Sequence, residues 1–429
     1  MTTRPAPSHL LPERLFGWMR NGWQVLFVWT VSRMLMGLIY ATPYENDIFR
    51  DAHYYWRMLE AMGTDGIGVT MPEYPTPVLW IMQIPHFGGL ASDGVYIVGF
   101  AVMMLALDGL LTWLIWRSAG RRRTAGLDFW LIFIFLIGPL AFFRFDMLPA
   151  VLVGAALILS QTRPRLAGAL TAVGAAVKLW PALLFPALLT RRGATRIGTT
   201  VGFVVVGLGL ALASLVVAGW DRTVSPLGYQ SDRGLQIESL FASPLMLARA
   251  FNPEPWTVEL SVFKAFEIFG PGVAPLLTVS TIATVLGMLA IVALLLRGFR
   301  CPAMDTWRVS LLVLAIVMIM IITNKTLSPQ YLIWLGGPLA LMLVRAPSGQ
   351  RRLVTRRLAL SLLPVAVLTH IVYPITYPQI FTDGASGMAI ASVIMVIRNL
   401  ALLVIGVWMI MLTWRQLPAD APVRDVGTS

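Results

Sequence analysis

Cysteine and charged residues are scarce in this chain. One cysteine, Cys301, and 13% charged residues stand among its 429 positions. A lone cysteine excludes an internal disulfide and any cysteine cluster that holds zinc or an iron–sulfur centre. The four histidines are too widely scattered to form a local metal motif; they are His9, His53, His86 and His370. The sequence therefore predicts no metal site, and we expect no cofactor.

Apolar residues are abundant instead. They make up 57% of the chain, which includes 15 tryptophans and has a mean hydropathy of +0.74. A water-soluble core of this length needs far less apolar surface. The sequence predicts an all-α, polytopic membrane protein that forms one integral domain over 1–429. A helix needs about 20 apolar residues to cross a bilayer, and about twelve spans are predicted near 23–40, 95–116, 129–143, 147–160, 166–178, 179–190, 197–219, 273–296, 309–323, 331–344, 358–373 and 388–412.

The basic residues are almost all arginines, in short clusters between the apolar runs. The net charge is +12, but a protein that binds nucleic acid carries such charge along one soluble face, so we expect no nucleic-acid partner. The clusters fall on one side of the predicted map, near 117–123, 162–165, 191–196, 297–300 and 345–357. The positive-inside rule assigns that side to the cytoplasm. We therefore predict a plasma-membrane protein with two long outward loops, 41–94 and 220–272.

Two apolar segments do not have the pattern of simple spans. Residues 76–87 are too short to cross a bilayer, so we expect a helix that lies in or near the outer leaflet. Residues 166–190 contain Lys178 and Pro181 where a helix has to break. This pattern predicts two short helices that meet at the outer side, with the lysine at the turn.

A few charges fall within predicted spans. Arg33 and Asp108 lie roughly 13 to 15 Å into the bilayer, counted from the helix rise per residue. A structural ion pair between them is favoured over a proton relay. Arg398 has no partner that is evident from the sequence.

Acidic and aromatic residues alternate in the first outward loop. The stretch "YENDIFRDAHYYW" carries Asp47 and Asp51, and the tetrapeptide "PEYP" follows with Glu73 and Tyr74. A carboxylate held among aromatic side chains at a membrane surface is suited to take a proton from a hydroxyl group. The same acids also suit a solvated loop end, so position alone leaves both interpretations open.

Several cations lie just outside predicted spans. Arg144 stands two residues from Asp146 in "FRFDM", and Arg233 and Lys325 are each followed by amide and hydroxyl side chains. Arginine and lysine in such places can hold a phosphate oxygen near the membrane surface. Interfacial anchoring by aromatic and snorkelling cationic side chains explains the same pattern.

Six motifs in one order resemble the GT-C membrane glycosyltransferases of family 87. They run from Asp51 with Tyr55, through "EYPTP", "RFDMLPAVL", "AAVKLWPALLFP" and "DRGLQIES", to "NKTLSPQYLIWL". The resemblance covers residues 44–335. This group includes actinobacterial mannosyltransferases that use polyprenyl-phosphate mannose.

The resemblance implies a catalytic base, a donor and a set of binding residues. Asp51 matches the family's base in the first outward loop, with Asp47 as the reserve candidate. The donor is a sugar, with mannose preferred, on a polyprenyl phosphate, and the acceptor is a glycolipid or cell-envelope glycan outside the plasma membrane. The substrate-binding residues predicted are Tyr55, Glu73, Tyr74, Arg144, Asp146, Lys178, Arg233, Gln236, Glu238, Lys325 and Gln330.

Two other function classes remain open at the sequence level. A transporter or lipid flippase of envelope precursors is the principal alternative, but flippases place charges at the midplane and show repeat symmetry. Here the dense charge lies in the predicted outer loops. A structural partner in an envelope-synthesis complex is the third possibility.

Overall fold

The protein is described from a computed structural model, which covers residues 21–39, 45–120, 124–347, 349–381 and 386–418. It is almost entirely helical. The helices in chain order are α1 (Gly22–Ile39), α2 (Glu45–Asp65), α3 (Thr76–Met82), α4 (Asp93–Ala119), α5 (Ala125–Ile137), α6 (Met147–Leu159), α7 (Pro164–Val177), α8 (Phe185–Leu188), α9 (Ala194–Ser231), α10 (Ser243–Phe251), α11 (Val273–Arg300), α12 (Thr306–Thr323), α13 (Ile333–Arg345), α14 (Gln350–His370), α15 (Tyr377–Ile380) and α16 (Ser386–Gln416). One antiparallel hairpin, β1 (Thr257–Leu260) and β2 (Phe266–Phe269), departs from the all-α expectation.

Among the described residues, six helices are long and apolar enough to cross a membrane: α4, α9, α11, α12, α14 and α16. This confirms a polytopic helical membrane protein. Three further apolar helices, α5, α6 and α7, are only 13 or 14 residues long. At 1.5 Å per residue each is about 20 Å long, short of a bilayer core of about 30 Å. The count of twelve spans therefore stays a prediction.

Part of the predicted first loop is an amphipathic helix. In α2 the buried residues Ile48, Ala52, Tyr55 and Leu59 recur at helical spacing. This face packs against α4, and none of the charged side chains described in α2 is buried. The helix holds Asp51 in a fixed register rather than on a flexible loop.

The segment 76–87 differs from the interfacial helix expected from its sequence. Only Thr76–Met82 is α-helical, and five of these seven residues are buried. The helix packs against α7 and α9 inside the protein. Protein neighbours cover its apolar side chains, so the helix does not need lipid to cover them.

The break predicted at Lys178 is confirmed. Helix α7 ends at Val177, and Lys178 adopts an extended backbone with φ −155° and ψ 128°. A 3₁₀ turn, Trp180–Leu184, then leads into α8. Pro181 cannot donate the backbone hydrogen bond that a continuous helix needs at that point.

The predicted pair between Arg33 and Asp108 is also confirmed. Arg33 Nε and Nη2 donate to the two carboxylate oxygens at 2.9 and 3.0 Å, and both residues are buried. Trp29 and Trp130 donate their indole N–H groups to the same carboxylate at 2.7 and 2.9 Å. Four hydrogen bonds compensate the cost of removing this charge from water.

A second buried pair explains the position of Arg398. Its Nη1 donates to Glu238 Oε2 at 2.7 Å, and the adjacent Asn399 donates to Glu238 O at 3.0 Å. Both ionic side chains are almost fully buried. The pair fastens the segment before α10 to the last helix.

Sidedness can be tested with cysteines placed at opposite ends of the molecule. Gly68→Cys lies in the loop after α2 and Thr162→Cys lies between α6 and α7, and both positions are exposed. Because the second position stands within an arginine cluster, we expect an impermeant maleimide to label only Gly68→Cys in intact cells. Native Cys301 is buried and gives little background.

Permeabilised cells provide the control, since both cysteines should then react. Labelling of Thr162→Cys in intact cells would reverse the predicted orientation.

Candidate functional site

A cavity of about 320 Å³ lies among α2, the segment before α3, the turn at Lys178, the hairpin tip and the segment before α13. It brings together seven of the predicted site residues: Asp51, Tyr55, Glu73, Tyr74, Lys178, Arg233 and Gln330. Of the other predicted residues, Arg144 and Asp146 contact members of this set. The side chain of Asp47 lies outside the described residues.

Asp51 faces the cavity and is held from behind by Arg144. Its Oδ2 is 3.0 Å from Arg144 Nε, and its side chain is 32% exposed whereas that of Arg144 is 6% exposed. Arg144 also donates Nη1 to Ile48 O at 2.9 Å and Nη2 to Tyr373 Oη at 2.6 Å. The guanidinium therefore fixes the carboxylate and the preceding turn of α2 together.

Arg144 stays cationic in this setting. Burial alone lowers the pKa of Arg144, but the charge of Asp51 and the neighbouring tyrosines raise it above the ordinary value. Because its hydrogen bonds lie behind Asp51, Arg144 acts on the carboxylate and does not line the cavity.

Two tyrosine contacts join α2 to the segment that carries Glu73. Tyr54 Oη donates to Glu73 Oε1 at 2.7 Å, and the hydroxyls of Tyr55 and Tyr74 are 3.1 Å apart. Burial raises the pKa of Tyr54, Tyr55 and Tyr74, and nearby acids add to the shift. These phenols are neutral hydrogen-bond donors at neutral pH.

Lys178 lies in an aromatic and acidic setting on another wall. Its Nζ is 2.6 Å from Asp146 Oδ1, and the same oxygen accepts the indole N–H of Trp334 at 2.8 Å. The ammonium also lies 5.3 Å from the ring centre of Tyr331 and 5.1 Å from that of Trp334. Cation–π attraction and one ion pair hold the lysine at the cavity surface.

Arg233 and Lys325 differ in their access to the cavity. Arg233 lines it, with the guanidinium 5.3 Å from the ring centre of Tyr229. Lys325 is not among the lining residues, and its backbone carbonyl accepts a hydrogen bond from Gln236 N at 3.2 Å. Burial lowers the pKa of Lys325, while the nearby Glu267 opposes that shift. Of the predicted cations, Lys178 and Arg233 line the cavity, together with Lys264 at the hairpin tip.

Gln236 and Glu238 support the cavity without lining it. Gln236 Oε1 accepts from Leu327 N at 3.0 Å, which joins the segment before α10 to the segment before α13. Glu238 is held by Arg398, and burial raises the pKa of its carboxyl against the effect of that arginine. Both residues were expected to bind substrate; in the structure both are buried and neither lines the cavity.

Sequence reasoning missed the aromatic residues that stand beside Lys178. Trp180 stacks on Trp334 with ring centres 4.6 Å apart, and Tyr331 stacks on Trp334 at 4.2 Å. The signal was present in "KLW" and "QYLIW", where aromatics flank the polar residues. Within the described residues, no group of three or more His, Cys, Asp or Glu side chains is placed to hold a metal ion.

Comparison with known proteins gives one family match. The model of Glycosyltransferase family 87 matches residues 73–323, which is more than half of the chain. The matched region includes Glu73, Arg144 and Lys178 but begins after Asp51. No curated protein matches the chain.

The contacts of Arg144 predict a graded loss of stability. Arg144→Lys keeps a charge near Asp51 but cannot reproduce the fork that reaches Ile48 O and Tyr373. We expect it to lower the free energy of unfolding by about 3 kcal/mol, since each hydrogen bond to a charged group contributes about 1.5 to 3 kcal/mol. Thermal unfolding in detergent, followed by tryptophan fluorescence, measures the effect.

Tyr373→Phe is the matched comparison, because it removes a single hydrogen bond to the same guanidinium. It should cost about half as much. Equal losses in the two variants, or none in either, would contradict the arrangement of contacts described for Arg144.

Proposed function

The chain belongs to glycosyltransferase family 87, and from this premise we propose that it transfers a sugar, mannose, from a polyprenyl-phosphate donor to a lipid-linked or cell-envelope glycan. The reaction takes place at the outer face of the plasma membrane. The observation that carries the proposal is that Asp51 and Lys178, a carboxylate and a cation, line the same cavity. Transfer from a lipid phosphate to a hydroxyl needs both groups.

Lys178 is the proposed contact for the donor phosphate. Its ammonium is a point charge with three donors, of which Asp146 occupies one position. A phosphate oxygen that enters the cavity can accept one of the others. Charge that builds up on the leaving phosphate is thereby stabilised. Arg233 lies on the same cavity and can share this role.

Asp51 is the proposed general base. The acceptor hydroxyl oxygen attacks the anomeric carbon, the bond from that carbon to the phosphate oxygen breaks, and Asp51 takes the hydroxyl proton. Polyprenyl phosphate leaves with the bonding electron pair. A single displacement inverts the configuration at the anomeric carbon and needs no covalent enzyme intermediate. Arg144 orients the carboxylate from behind.

The buried charges favour an enzyme over a flippase. The pairs Arg33–Asp108 and Arg398–Glu238 are held by several local hydrogen bonds each, and neither lines the cavity. A transport pathway uses intramembrane charges that face a water-filled route. These pairs serve the fold, and the charges that face the cavity are those that a transfer reaction uses.

Reconstitution with defined lipids tests the proposal. Purified protein is incubated with polyprenyl-phosphate mannose or polyprenyl-phosphate glucose and a panel of envelope glycolipids, and products are identified by mass spectrometry. We expect a mass gain of one hexose from the mannose donor only. Movement of the donor across vesicles without a new glycoside would favour the flippase alternative.

Loss of the carboxylate at position 51 should abolish most of the transfer. Asp51→Asn keeps the size of the side chain but removes the base, so kcat should fall by about 10² to 10⁴, the usual contribution of a general base. Asp65→Asn is the matched control, since Asp65 lies exposed on the same helix. Asp47→Asn should cost much less than Asp51→Asn. Normal turnover in Asp51→Asn with an inactive Asp47→Asn would move the role to Asp47.

Lys178 can be tested as a pair with Asp146. Lys178→Gln should reduce kcat by about 10² to 10³, comparable to the loss of one donor to a developing anion. It also leaves Asp146 buried without its cation, which lowers stability.

The double variant Lys178→Gln with Asp146→Asn removes that unpaired charge. We expect stability to recover and transfer to stay low. Recovery of transfer in the double variant would show that Lys178 acts only by neutralising Asp146.

A further inference from the structure

Arg222 is a buried cation whose hydrogen bonds go mainly to backbone carbonyls. It lies in α9, three residues after the bend at Gly219, and is 3% exposed. Its Nη1 donates to Tyr74 O at 2.9 Å, and its Nη2 donates to Thr70 O and to Met71 O, each at 3.0 Å. In the part of the chain that the structure describes, its contacts thus converge on one short segment.

That segment, Thr70–Tyr74, has an unusual backbone. Met71 has φ +46°, a left-handed conformation that is rare for a residue with a side chain, and it is fully buried. The hydroxyl of Ser225, one turn after Arg222, lies 2.9 Å from Pro72 O and also 2.9 Å from Arg222 O, so the two carbonyls share its one proton. Two side chains of α9 therefore contact four carbonyl groups of one strained turn.

The turn carries two side chains that line the cavity, Glu73 and Tyr74. Through Tyr54 and Tyr55 they contact the turn of α2 that follows Asp51. A shift of the turn therefore moves a wall of the cavity that adjoins the carboxylate of Asp51. A wall displaced by about 1 Å no longer presents these side chains in the geometry that a bound sugar requires.

We propose that Arg222 is a positioning residue that holds the Glu73–Tyr74 wall in place for the acceptor. The choice of acceptor over donor rests on the proposed function, since the hydroxyl that Asp51 deprotonates belongs to the acceptor. The wall adjoins Asp51, whereas the cation Lys178 is held by Asp146, Tyr331 and Trp334. Arg222 acts through the backbone and touches no substrate.

The kinetic test uses Arg222→Lys. A lysine ammonium keeps the charge but lacks the planar fork that reaches three carbonyls. We expect the KM for the acceptor to rise about tenfold, as if one hydrogen bond between the displaced wall and the acceptor were lost. The donor KM and kcat should change by less than about twofold, because a wall that binds only the acceptor affects only the KM for the acceptor. Ser225→Ala should act in the same direction with a smaller effect.

Arg249→Lys is the matched control. Arg249 is equally buried and donates to Ile380 O at 2.8 Å, but it does not line or adjoin the cavity. It should lower stability without changing the acceptor KM. Equal rises in donor and acceptor KM for Arg222→Lys, or an acceptor KM like that of the wild type, would overturn the proposal.

A second measurement does not depend on the identity of the substrates. Hydrogen exchange followed by mass spectrometry should show faster exchange in the peptide that covers 66–75 for Arg222→Lys and Ser225→Ala. The Arg249→Lys control should match the wild type there. Unchanged exchange in both test variants would overturn the proposal even if the wild type transfers sugar. Absence of transfer from any donor, with exchange altered as expected, would instead contradict the proposed function alone.

Discussion

Arg144 carries a positive charge into a region that is almost closed to water, and the groups around it make that position tolerable. A carboxylate, two backbone carbonyls and a phenol hydroxyl surround the guanidinium. They come from α2, from the turn before α6 and from the segment after α14. Because these parts are far apart in sequence, the one buried cation fixes their relative positions. Asp51, at the edge of this cluster, faces the cavity.

The same turn also sets the separation between the two charged ends of the cavity. Arg144 and Asp146 are two residues apart, yet they pair with different partners, Asp51 and Lys178. The proposed base and the proposed phosphate contact are thus both held by a single stretch of three residues. Each ion pair leaves one member facing the cavity and the other behind it. Such an arrangement keeps reactive charges oriented before any substrate enters, which is how electrostatic stabilisation becomes effective.

Two features of the structure could be predicted from simple sequence patterns. A lysine and a proline inside an apolar run required the break at Lys178, and two charges at matching depth required the pair between Arg33 and Asp108. The partners of Arg398 and Arg222 could not be predicted in this way. Glu238 is 160 residues from Arg398, and backbone carbonyls, which Arg222 binds, have no signature in the sequence. In the sequence, Gln236 and Glu238 look like site residues, because buried polar groups in a membrane protein need partners whether or not they touch substrate.

The shortness of α6 and α7 bears on how a lipid substrate reaches this cavity. Lys178, which lines the cavity, follows α7, and its partner Asp146 precedes α6. The pair stands at one end of two helices that are about 20 Å long, in a bilayer whose core is about 30 Å thick. If the other ends lie at the opposite surface, the floor of the cavity is about 10 Å below the lipid headgroups. The phosphate of the proposed donor then descends into a depression of the membrane, and the proposed acceptor has to be long enough to follow it. Reach, measured from the lipid surface to the terminal hydroxyl, becomes a criterion of substrate selection in addition to the shape of the sugar.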